Sequence, residues 1–138
     1  MTVVEACTQF WNADRSNCSK FACDVAGALG VTLAGNANAI ADILAIGQDG
    51  WEVLDGGVTA AARAAAGDLV LAGLRGDAQT TPNVHGHVVV IVPGPLNRGL
   101  YPTAWWGSDG GVPYQNTTLN YAWVAGDRDR VHYAARTI

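Results

Sequence analysis

Three cysteines and three histidines are the groups in this 138-residue chain suited to covalent and proton-transfer chemistry. Cys18 stands out by position. It follows Ser16 and Asn17, both good capping types, and from it Cys18, Ala22, Val25 and Leu29 recur at helical spacing until Gly30. A thiol at a helix N-terminus faces unpaired backbone N–H groups and the positive end of the macrodipole, which predicts a lowered pKa and an accessible thiolate. The competing description is a small buried hydrophobe. A thiolate nucleophile also needs a base, drawn from His85, His87 and His132. His87 begins the valine-rich run HVVVIV, where rigid backbone would hold an imidazole at the sheet edge in a fixed direction. His85, two residues earlier in a polar loop, would share its face if the strand already extended that far. His132, between Val131 and Tyr133, suits a partly buried sheet position with its own hydrogen bond. Cys18 and His87 are therefore the favoured pair.

Other chemistries find less support. No Cys-x-x-Cys or His-Glu-x-x-His string is present, so a metal site built on His85, His87 and a cysteine is disfavoured. No glycine-rich phosphate loop occurs either, and neither metal nor cofactor is expected. Eight basic against twelve acidic residues give a net charge of −4, with no basic cluster interleaved with aromatics, which argues against nucleic-acid binding. Glu5 stands where a signal peptide would carry a basic region, and no long apolar run follows. Synthesis in the cytoplasm without a signal peptide, and no membrane insertion, are the expectation. If Cys18 must stay free, Cys7–Cys23 is the one useful disulfide pairing.

The elements that must position the pair fall in two groups. Residues 1–13 read as a short helix or an arm with Val4, Phe10 and Trp11 as anchors on the core, and 14–17 as the turn into the cysteine helix. GNANA at 35–39 precedes a helical face of Ile40, Ile43 and Leu44 that ends near Gly47, with Asn36 or Asn38 as its cap. Trp51 to Leu54 suits a short extended piece, and the alanine-rich stretch from Val58 to Ala66 a further helix. Strands are predicted at 68–74, 86–92, 100–106, 121–125 and 130–135. Helices first and sheet second make an α+β fold, expected as a single domain over 1–138.

A cysteine opening a helix, a GDLV strand at 67–70 and Gly86-His87-Val88 opening the next strand together resemble the papain-like, NlpC-type cell-wall peptidases. Longer strings resemble one bacterial toxin group, the type VI secretion amidase effectors of the first family. They are NCS at 17–19, GNANA, LVLAGL at 69–74, GHV at 86–88, GPL at 94–96, Tyr101-Pro102 and DRDR at 127–130. The resemblance implies a papain-like fold, with N-terminal helices packed on a C-terminal antiparallel sheet. It implies hydrolysis of peptidoglycan stems between γ-D-glutamate and meso-diaminopimelate, in the periplasm of a rival cell reached by the type VI secretion apparatus. It also implies a cognate immunity protein that blocks the active site. Cys18 and His87 take the nucleophile and base positions. Some relatives carry a cysteine near the imidazole where this chain has Trp106, so Ser108, Asp109 or a backbone carbonyl are the alternatives for an orienting group.

Trp105, Trp106 and Trp123 suit sugar stacking or, more simply, core packing. DRDR suits a charged turn whose members pair among themselves. A non-catalytic wall-binding module and a cytosolic cysteine peptidase or transferase with another substrate are the rival functions.

Overall fold

The computed structural model describes residues 1–138. Local capping chemistry sets where its first helices begin. Thr2 caps α1 (Val3–Asp14) reciprocally: its hydroxyl accepts from the Glu5 N–H at 3.1 Å, and the Glu5 carboxylate accepts from the Thr2 N–H at 2.9 Å. Asn17 accepts from the Lys20 N–H at 3.0 Å and starts α2 (Cys18–Ala28), which makes Cys18 the first helical residue. Of the two asparagines considered for α3 (Ala37–Ile46), Asn36 is the cap, accepting from the Ala39 N–H at 2.9 Å. Each such cap contributes about 1 kcal/mol.

Six strands follow: β1 (Glu52–Leu54), β2 (Leu69–Leu74), β3 (His87–Ile91), β4 (Thr103–Trp106), β5 (Tyr114–Thr118) and β6 (His132–Arg136), with α4 (Gly57–Ala65) between β1 and β2. They form one antiparallel sheet in the order β1-β6-β2-β3-β4-β5. Strand periodicity divides the core. Leu69, Leu71, Val88, Val90 and Trp105 face α1, α2 and α3. Val70, Ala72, Val89, Ile91 and Trp106 face the other way, where Ala60 and Ala64 of α4, Leu119 and Trp123 cover them. β2 and β3 are thus buried on both faces, which is why they read as unbroken apolar runs. The architecture is the expected α+β fold of N-terminal helices packed on an antiparallel sheet, consistent with a papain-like, NlpC-type plan, with α4 added on the opposite face.

One strand lies elsewhere than expected. Residues 121–125 form no strand; a 3-10 turn at Leu119–Tyr121 leads into turns, and Leu119 and Trp123 plug the second core. The strand is instead Tyr114–Thr118, a polar, largely exposed edge that pairs only with β4. An edge strand with an open face needs no apolar alternation, so its composition hides it, while buried turn residues mimic a strand. No helix is long and apolar enough to cross a membrane.

Candidate active site

Cys18 is held by the turn between α1 and α2. The Asn17 N–H donates to the Asp14 carbonyl and the Ser108 N–H to the Arg15 carbonyl, each at 2.9 Å. Gly107 lies against the same turn so closely that a Cβ there would stand 2.7 Å from the Asp14 carbonyl oxygen. Lys20 adds ion pairs to Asp14 at 3.0 Å and Asp24 at 2.7 Å. The segment after β4 therefore braces the start of α2.

His87 is delivered by the β2–β3 connection, which α3 grips. Asn38 Oδ1 accepts from the Gly76 N–H and its Nδ2 donates to the Val84 carbonyl, both at 2.9 Å. Gly86 passes beneath this clamp, where a Cβ would come 2.7 Å from Asn38 Oδ1 and 3.0 Å from the Leu74 carbonyl oxygen. A second clamp holds the same connection from the far side. Buried Asp127 accepts from the Thr80 N–H at 2.8 Å, the Thr80 hydroxyl at 2.7 Å and Arg130 at 2.5 Å. Burial pushes the Asp127 carboxyl up, but these bonds outweigh it and hold the group below its ordinary value.

The two side chains line one cleft of about 470 Å³, with Asn17, Asn38, His85, Ser108, Asp109 and Trp123 among its walls. The backbone N–H groups of Val88, Ser19 and Cys18 face the Cys18 sulfur. The expected lowering of the thiol pKa is nevertheless overturned. Burial raises it and the Asp109 carboxylate adds to the rise, against the smaller opposing pull of the three N–H groups. Helix-end effects amount to about 0.3–2 kcal/mol, whereas desolvation can move a buried group by several pKa units. Burial likewise pushes His87 down to about 4, and it is the cause that acts alone there. At neutral pH the site holds a neutral thiol and a neutral imidazole.

No family model matches the chain. It is 39% identical over 142 aligned positions to the peptidoglycan amidase Tse1 of Pseudomonas aeruginosa, an alignment covering 95% of this chain and 86% of Tse1. The chain belongs to the Tse1 family.

Within this Tse1-family fold the remaining sequence candidates separate clearly. His85 is exposed on the loop, its N–H donating to Asn83 Oδ1 at 3.2 Å, because β3 begins only at His87. His132 lies outside the cleft. It was expected partly buried with a hydrogen bond of its own, but as the first residue of β6 it projects exposed beside a different cavity, with Tyr101 and Arg128. Neither Ser108 nor Asp109 hydrogen-bonds the His87 ring; both stand on the cleft wall. All three cysteines are free thiols, and burial pushes Cys7 up to about 12.

The tryptophans are core residues, Trp105, Trp106 and Trp123 being 5%, 2% and 6% exposed. Trp105 Nε1 donates to Asn116 Oδ1 at 3.0 Å. The DRDR turn pairs internally only through Arg130 and Asp127. Asp129 instead accepts from the Tyr101 hydroxyl at 2.7 Å, and Arg128 lies over the Tyr101 ring. Asn38, Thr80 and Asp127 were the positioning residues missed as such: GNANA and DRDR were visible as strings, but their contacts span 38 and 47 residues of sequence.

Proposed function

We propose that this chain is a cysteine amidase that hydrolyses the γ-D-glutamyl–meso-diaminopimelate bond of peptidoglycan stem peptides, with Cys18 as nucleophile and His87 as general base. The observation that carries the reading is the shared cleft: a thiol at the start of α2 and an imidazole at the start of β3, in a chain related over nearly its whole length to a peptidoglycan amidase.

The steps follow from the neutral resting pair. His87 takes the Cys18 proton as the sulfur attacks the γ-carbonyl carbon, so charge separates only as the new C–S bond forms. The oxyanion falls near the Cys18 N–H at the helix start, and one such donor contributes about 3 kcal/mol. The imidazolium then protonates the diaminopimelate nitrogen as the C–N bond breaks, leaving a thioester. Water, giving its proton to the same imidazole, releases the glutamyl carboxylate and restores the thiol. Because His87 must be neutral to begin, its low pKa near 4 predicts that kcat/KM stays flat from neutral pH down to about pH 5.

The same reading includes export through a type VI secretion apparatus, action in the periplasm of a target bacterium and a cognate immunity protein that occludes the cleft. Mass spectrometry of purified peptidoglycan after digestion tests the bond assignment. Fragments with a new free amino group on diaminopimelate and stems ending at D-glutamate support it. Cleavage elsewhere moves the specificity, and unchanged stems make the protein a binder.

A further inference from the structure

The His87 ring meets two indoles at steep angles. Its centroid lies 5.1 Å from that of Trp123 at an interplanar angle of 66°, and 6.4 Å from that of Trp106 at 89°. Both indoles are fixed in turn. Trp106 sits on β4 opposite Tyr114, with ring centroids 5.3 Å apart. Trp123 follows the Leu119–Tyr121 turn, a segment tied back to the β2–β3 connection where Asp127 receives Thr80. Trp123 also keeps a buried indole N–H without a hydrogen-bond partner. Burying that unpaired donor is a cost that filling the core does not by itself require.

We propose that Trp123, backed by Trp106, is the positioning residue for His87: the aromatic pair, in place of a hydrogen-bonded third group, aims the imidazole toward Cys18. The inference rests on the reading of His87 as the base. The pair has two effects on that base. It walls off part of the half-buried ring from water, which favours the neutral imidazole at rest. When the ring takes the thiol proton, the Trp123 π-system lies within the distance at which it attracts a cation, so the interaction strengthens as the imidazolium forms. The other titratable groups on the walls of the cleft are Cys18 from α2, His85 from the loop before β3, Asp109 beyond β4 and Asp127 beyond the Leu119–Tyr121 turn. The elements packed on the ring itself present indoles.

Three variants test this. Trp123→Leu keeps apolar bulk and removes the π-face, and should lower kcat about tenfold with KM little changed, while Trp123→Phe should restore most of the rate. Trp123→Ala opens the ring to water, and an NMR titration should then show the His87 midpoint rising from about 4 toward 6.5. That titration is made in Cys18→Ala protein, so it needs no turnover. Equal kcat in the Leu and Phe variants overturns the proposal even if Trp123→Ala does not fold, and an unmoved titration in folded Trp123→Ala does so independently. Wild-type turnover by His87→Ala would instead contradict the base assignment, and it is read in a separate assay.

Discussion

Cys18 and His87 reach the same cleft by opposite routes. Cys18 is placed chiefly by its neighbours in sequence: Asn17 caps the helix, and Phe21, Ala22 and Val25 seat it on the sheet, with Gly107 and Ser108 as a long-range brace on the turn before it. His87 is placed by distant partners, with Asn38 and Asp127 clamping the loop before it and Trp106 and Trp123 packed on its ring. A side chain at a helix start can be specified largely locally, whereas one at a strand start is only as well oriented as the loops that converge on it. The contrast also explains why helix-end electrostatics do not decide the Cys18 pKa: the cleft that both residues line half-buries them, and desolvation outweighs the helix end.

That contrast can be broken by substitution, beginning with the largest effect. His87→Ala should lower kcat by about 10²- to 10⁴-fold in a stem-peptide assay, with the fold retained by circular dichroism. Gly86→Ala should come next. Its Cβ meets the Asn38 amide and the Leu74 carbonyl, and the strain of about 1–3 kcal/mol should appear as a lower melting temperature together with reduced turnover.

The two asparagines sharpen the comparison. Asn17→Ala should cost about 1 kcal/mol in chemical denaturation as a lost cap. Asn38→Ala leaves the Gly76 N–H and Val84 carbonyl without their partner, about 1–3 kcal/mol, and should depress kcat more than its stability loss accounts for. Equal kinetic effects from the two would erase the proposed distinction between local and distant placement. His85→Ala should be the mildest, within about 0.5 kcal/mol in stability and with substantial turnover retained.

Stability against pH reads the His87 environment without any substrate. A histidine whose folded pKa lies below its unfolded value binds fewer protons when folded, so its contribution is fully present above about 6.5 and is lost as pH falls toward 4. The loss approaches 3 kcal/mol, roughly 1.4 kcal/mol per pKa unit. His87→Gln should flatten that part of the profile. Asp127, held below its ordinary value, acts in the same direction in the acid range.

Much of this was legible in the sequence. The helices of the first half follow from Asn17, Asn36 and the spacing of their apolar faces, and β2 and β3 from runs buried on both sides. Cys18 and His87 were visible as candidates because helix and strand starts announce themselves locally, the family resemblance joined them, and the structure sets both on one cleft. The edge strand β5 was hidden because nothing covers its outer face. The clamps at Asn38 and Asp127 were hidden because their partners lie far along the chain. The direction of the Cys18 shift was hidden for the same reason: burial belongs to the assembled cleft and to no single segment.

The most direct test of the account is the turnover of purified peptidoglycan by Cys18→Ala protein beside wild type, with matched melting temperatures. Release of diaminopimelate-terminated fragments by wild type and none above background by the variant is the predicted result. Continued release by folded Cys18→Ala protein would contradict it.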